Sequence, residues 1–220
     1  MVSNFNYEFD RRIHSIILNP YLTNEEFKDN CDLIKKYNIK NVSTSLSFLN
    51  ILKDSLFNHN VKINALISFP FSDIPTDFVS ELIAFAKDSG AEKVEYIPKF
   101  FLLNKNEENF ANDIERISES DLPITLIFNK RKLKKESFIK AINISVEIGI
   151  TNFQFGDGFG GALEADEIHE VIKLLGKNKF IKIVGGINNI QQVIDLLDTG
   201  VDCVGSSNIY DIFQSIKKFK

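Results

Sequence analysis

The chain has 220 residues, 44% of them hydrophobic and 25% charged, with a formal net charge of −4. That composition can bury a sizeable core and argues against nucleic acid as a partner, since no basic stripe is available to neutralise phosphates. No apolar run approaches the roughly 18 residues of a membrane span, the first ten residues lack the layout of a secretory signal, and Cys31 and Cys203 have no framework spacing, which together point to a reducing cytoplasm. From the N-terminus, a strand near 13–18 leads to a helix near 24–37, a strand near 41–44 to a helix near 48–59, and a strand near 62–68 to a helix near 76–89. The alternation continues with strands near 93–97, 124–128, 152–155, 181–184 and 202–204, and helices near 107–118, 135–148, 165–175, 190–198 and 209–219. Apolar residues recur at helical spacing, as in Phe78, Leu82, Ile83, Phe85 and Ala86, and Gly90, Gly149, Gly176 and Gly200 each stand where a helix stops. The run Ile-Thr-Leu-Ile-Phe at 124–128 is nearly continuous in apolar character, as expected of a parallel strand covered on both faces. Eight βα units predict one closed (β/α)8 TIM barrel spanning residues 1–220 as a single domain; an open doubly wound sheet is the alternative, which eight units fit less well.

Three late segments carry the chemistry: Gly156-Asp157-Gly158-Phe159-Gly160-Gly161, Val184-Gly185-Gly186-Ile187 and Val204-Gly205-Ser206-Ser207. Each follows a short apolar run and precedes a helix. Glycine lets backbone N–H groups approach an anion, and a helix N-terminus adds its positive dipole end. On the last three strands of a barrel, these segments read as a phosphate cradle.

Six motifs in register resemble the deoxyribose-phosphate aldolase family. Residues 13–20, Ile-His-Ser-Ile-Ile-Leu-Asn-Pro, are similar to its I-D-H-T-L-L-x-P opening, and Ser68-Phe69-Pro70-Phe71-Ser72 to its G-F-P-L-G. Residues 90–95 resemble G-A-D-E-I-D, residues 157–161 resemble T-G-F-G-T-G-G, Lys182 to Ile187 match K-x-x-G-G-I/V, and Gly205-Ser206-Ser207 match G-x-S-S. The resemblance implies the barrel, a homodimer, and reversible cleavage of 2-deoxyribose 5-phosphate through a lysine Schiff base. It places the family's phosphate contacts on Gly158, Gly185, Gly186, Ile187, Ser206 and Ser207. Its Schiff-base lysine on strand six falls on Gln154, which cannot form an imine. The strand-four carboxylate becomes Glu95, the strand-one aspartate His14 with Ile16 beside it, and the strand-two polar position Ser43. The strand-five lysine and glutamate become Thr125 and Asn129. Lys182 on strand seven is retained, and a terminal tyrosine is absent.

Barrel interiors are normally apolar. If His14, Glu95, Gln154 and Lys182 all point inward, they place four polar groups in one volume, and buried ions must be paired. A Glu95–Lys182 pair with His14 and Gln154 completing the hydrogen bonds satisfies that demand. The arrangement is either an ion pair left after activity was lost or a set of acid, base and amine groups for chemistry beside a carbonyl. His59 reads as solvated, and His169 with Asp166, Glu167 and Glu170 as an acidic helix face, so no metal site and no cofactor is expected. Lys99 and Arg131 at strand ends are candidates for replacing lost positive charge near a phosphate. Lys217, Lys218 and Lys220 read as a charged tail.

Three functions follow as expectations. The first is a divergent class I aldolase-like lyase acting on a small phosphorylated sugar, with Lys182, Glu95, His14 and Gln154 as catalytic residues. The second is a non-catalytic phosphosugar-binding protein. The third is a phosphosugar isomerase moving protons with Glu95 and His14.

Overall fold

The computed structural model describes residues 7–216. Its strands are β1 (Ile13–Ile17), β2 (Asn41–Ser45), β3 (Lys62–Ile67), β4 (Lys93–Tyr96), β5 (Ile124–Phe128), β6 (Asn152–Phe155), β7 (Phe180–Val184) and β8 (Cys203–Ser206). They pair in sequence order, all parallel, into a closed barrel, with β8 joined to β1 through Ile13–Val204 and Ser15–Ser206. The helices are α1 (Phe9–Arg12), α2 (Asn24–Lys36), α3 (Leu49–Ser55), α4 (Thr76–Asp88), α5 (Glu107–Ser118), α6 (Lys135–Ile148), α7 (Ala165–Leu175), α8 (Ile190–Asp198) and α9 (Ile209–Ile216). The predicted end of the last helix near 219, and the lysines beyond it, lie outside the described residues.

Local chemistry explains most boundaries. Thr23 opens α2 with a reciprocal capping box, its hydroxyl accepting from the Glu26 N–H while the Glu26 carboxylate accepts from the Thr23 N–H. Gly149 closes α6 in a left-handed conformation at φ 104°. All five residues of β5 are buried, because inner and outer faces are both covered. On its outer side Phe128 packs against Phe138 of α6 and Phe155 of β6 with ring centroids about 6 Å apart, and burying each ring contributes roughly 1.5–3 kcal/mol.

Three local expectations change. A short α1 precedes the barrel. The second predicted helix starts as a 3-10 turn at Leu46–Phe48 and ends at Ser55, short of the Asn58-His59-Asn60 stretch. On α4 the buried stripe is Val79, Ile83 and Ala86, whereas Phe78 and Phe85 are 57% and 48% exposed.

Candidate active site

At the C-terminal ends of the strands a cleft of about 680 Å³ is walled by the loops after β6, β7 and β8. Gly158, Gly185, Gly186, Ile187, Ser206 and Ser207 all line it. The walls are built by backbone approaching backbone. A Cβ on Gly156, which has φ +94°, would lie 1.8 Å from the Val184 carbonyl oxygen. A Cβ on Gly185, with φ +124°, would lie 2.9 Å from the Gly160 oxygen. Only glycine permits both the torsions and the contacts. The Ser206 hydroxyl is committed internally, donating to the Ile187 carbonyl at 2.6 Å and accepting from the Asn208 N–H at 2.9 Å. Ser207 is exposed at the cleft rim. The Asn208 amide donates to the Asn188 side-chain oxygen, tying the last two loops together.

Two features of this wall escaped sequence reasoning. Buried Asp157 accepts from Lys132 Nζ at 2.6 Å and from the Phe159 N–H at 3.1 Å, bracing the loop after β6. Burial pushes its carboxyl up, but the Lys132, Asn129 and Phe159 hydrogen bonds outweigh that and hold it below the ordinary aspartate value. Exposed Phe159 stacks on Phe69 at 6.0 Å and 18°, bridging the loops after β3 and β6 at the cleft wall, with Lys132 Nζ 5.4 Å from the Phe159 ring centre. Asp157 and Phe159 lay within a quoted motif, but their partners at Lys132 and Phe69 are distant in sequence.

Ile16, Val184 and Gly205 line the inner part of the cleft, and Lys182 lies against them. A Cβ on Gly205 would sit 2.9 Å from Lys182 Cε, 2.9 Å from Val184 Cγ2 and 3.0 Å from Ile16 Cδ1. Lys182 is 1% exposed and donates to Glu95 Oε1 at 2.6 Å and to Ser43 Oγ at 3.0 Å, while the Ser43 hydroxyl donates to the same Glu95 oxygen at 2.9 Å. Strands β2, β4 and β7 thus meet in one buried triangle. Burial pushes the adjacent Cys203 thiol up to about 12, although Lys182 draws it down.

The expected hydrogen-bond completion by His14 and Gln154 is corrected. Gln154 is buried in register beside Lys182, but its Nε2 donates to the Gly156 carbonyl at 2.9 Å, and its Oε1 has no partner among the described residues. His14, second residue of β1, leans toward the opposite mouth of the barrel and stacks on Phe180 at 6.4 Å. Its pKa lies well below 6.5, chiefly through burial and further through Lys182 and Lys93, so the ring is neutral. Ser43 takes the place expected for these two side chains.

Lys99 does not serve the cleft. It is buried against α5, donating to Asp113 and to the Thr76 hydroxyl, both at 2.7 Å. Arg131 is held at the surface by the Ala162 carbonyl at 3.0 Å. His59 and His169 are exposed, and Glu167 and Glu170 pair with Lys130. Among the described residues no group of three or more His, Cys, Asp or Glu side chains is placed to hold a metal, and no helix is long and apolar enough to cross a membrane.

The chain matches no protein-family model. It is 26% identical over 209 residues to the deoxyribose-phosphate aldolase of Thermococcus kodakarensis, covering 91% of this chain and 93% of that protein. It is 25% identical over 217 residues to that of Caldanaerobacter subterraneus subsp. tengcongensis, covering 94% and 93%. Among solved structures, the tetrameric deoxyribose phosphate aldolase from Aeropyrum pernix superposes with a TM-score of 0.83 at 16% identity, covering 95% of this chain and 91% of that one. An aldolase designated QR15 superposes with a TM-score of 0.85 at 19% identity, covering 94% and 95%. The structural likenesses carry the barrel, and the near full-length sequence alignments make the chain similar to deoxyribose-phosphate aldolases along almost all of its length.

Proposed function

We propose that the protein is a divergent class I aldolase-like lyase acting on a small phosphorylated sugar, with the phosphate held by the loops after β6, β7 and β8. The observation that carries this reading is the Lys182 amine, buried against the cleft floor at the point where Gly205 contributes no side chain. In this reading the Lys182 ammonium passes a proton to Glu95 and the free amine adds to the substrate carbonyl. Glu95 returns that proton to the carbinolamine hydroxyl, which leaves as water. The electron pair of the breaking carbon–carbon bond then flows into the imine as Glu95 takes the proton of the adjacent hydroxyl that becomes the departing carbonyl. The resulting enamine takes that proton back at carbon and is hydrolysed by water, freeing the second product and the Lys182 amine. Ser43 keeps Glu95 oriented, and Gln154 lines the space that a strand-six amine would fill. For the substrate to reach Nζ, Ile16 and Val184 must shift.

Incubation with a short aldehyde phosphate and borohydride, followed by intact mass and peptide mapping, tests the proposal. An adduct on Lys182 is expected, absent in Lys182→Met; no adduct with any phosphorylated carbonyl compound overturns it. A second reading, phosphosugar binding without turnover, is favoured by the packing of Ile16 and Val184 over Lys182 and by the amide at position 154. It requires ligand-induced stabilisation that persists in Lys182→Met with no adduct in either protein. The isomerase alternative loses its proton-moving pair, because no hydrogen bond links His14 to Glu95 among the described residues.

A further inference from the structure

The N-terminal mouth of the barrel holds a second cavity, of about 530 Å³, on the opposite end from the cleft. Its wall carries four cations, Arg11, Lys40, Lys62 and Lys93, against one carboxylate, Glu92. Among the described residues Lys40, Lys62 and Lys93 form no salt bridge, and Arg11 has only an exposed contact to Glu8 within α1 and its cap. Lys93 lies half-buried, donating to the Asn152 side chain at 3.2 Å with its ammonium 4.9 Å from the Phe180 ring centre. Like charges around one cavity repel, and burial lowers the Lys93 pKa, an effect that the charge of Glu95 offsets only in part.

The decisive feature is His14. It is 6% exposed, it lines this cavity, and its buried Nδ1 has no hydrogen-bond partner among the described residues. A buried polar atom in a native structure is ordinarily satisfied, so an orphaned one beside a cationic cavity calls for a ligand that accepts hydrogen bonds. Lys62 and Lys93 open the adjacent strands β3 and β4, and Lys40, whose Nζ donates to the Asn38 side chain at 2.6 Å, stands just before β2, so three lysines start neighbouring segments at this mouth. An anion bridging them would relieve the mutual repulsion and offer oxygen acceptors to the imidazole.

The geometry points to a binding site for a small multivalent phosphate-class anion at this lower mouth, sized for two phosphate groups rather than one. It is independent of the cleft at the upper end. Isothermal titration of the full chain with inorganic pyrophosphate tests it, with inorganic phosphate as the smaller probe. Pyrophosphate is expected to bind more tightly than phosphate, with affinity falling as salt rises. The variant Lys40→Glu/Lys62→Glu is expected to lose on the order of tenfold or more in pyrophosphate affinity, as removal and reversal of charge-assisted contacts should. Ser207→Asp, at the upper cleft, should leave that affinity unchanged, and circular dichroism checks that each variant is folded. No binding at millimolar pyrophosphate overturns the assignment. So does an unchanged affinity in the double lysine variant, or an equal loss in Ser207→Asp, which would place the anion in the upper cleft.

Discussion

Lys182 and Glu95 are each almost wholly enclosed, so removing one strands the other. Breaking a buried pair costs about 3–5 kcal/mol, whereas replacing both partners by apolar or neutral groups is often close to neutral. Lys182→Met is therefore expected to lower unfolding free energy by about that amount, and Lys182→Met/Glu95→Gln by clearly less. Denaturant midpoints check this; equal losses in both would show that Glu95 is not left uncompensated. His14 sets a pH dependence of opposite character to a salt-bridged histidine. Its folded pKa is depressed by burial, then by Lys182 and Lys93, so below the ordinary value of 6.5 the unfolded chain binds a proton that the folded one resists. Stability is full above that value and is lost as pH falls below it toward the folded pKa. In His14→Phe the decline between pH 6.5 and 5 should flatten, readable by thermal melts across that range. The inward direction of these residues was legible from strand alternation. Which end of the barrel each tip reaches was not, because position along the barrel axis depends on shear, and that is how His14 and the contribution of Ser43 were misjudged.

At the level of elements, the junction of β6 and β7 has no slack. Gly156→Ala places a Cβ against the Val184 carbonyl at a torsion L-residues avoid, and the expected loss is about 2 kcal/mol or more, with a fall in Tm of at least about 5 °C. The α5 layer is pinned by a different device: Asp113 accepts from Lys99, Thr76 and Tyr96 in a buried cluster. Asp113→Ala leaves Lys99 buried without its carboxylate, and a loss of about 3–5 kcal/mol is expected in denaturant unfolding. Elements with glycine stops and long apolar phases could be read in advance. Four-residue α1 is shorter than any periodicity can reveal. On α4, Phe78 and Phe85 fall within a helical spacing, yet the phase that packs is chosen by the barrel wall beneath Val79, Ile83 and Ala86. Lys99 looked like surface charge because its partner lies 14 residues away on the next helix.

For the molecule as a whole, closure gives two ends with separate chemistry joined by a polar interior. The barrel itself was legible because eight βα units repeat the same signals, each confirmed by the next, and a closed parallel sheet is the arrangement that covers all of them. The glycine-rich late loops were legible as a group for the same reason. The lower cavity was not, because its four cations come from four separate segments and none forms a motif. A phosphosugar that binds the upper cleft at a hundred times its Kd should stabilise the fold by about 2.7 kcal/mol, which for a chain of this size raises Tm by about 5–10 °C. Ser207→Asp is expected to abolish that shift through charge repulsion; a retained shift would place the phosphate elsewhere.

The Phe69–Phe159 stack has a practical use. The chain contains no tryptophan, so Phe159→Trp would install a single indole at the entrance, the one indole that excitation beyond the tyrosine band would reach. A guest entering between the rings must separate them and expose the indole to solvent, so a red-shifted spectrum would report occupancy of the upper opening in real time and remain silent to anything docking at the far end.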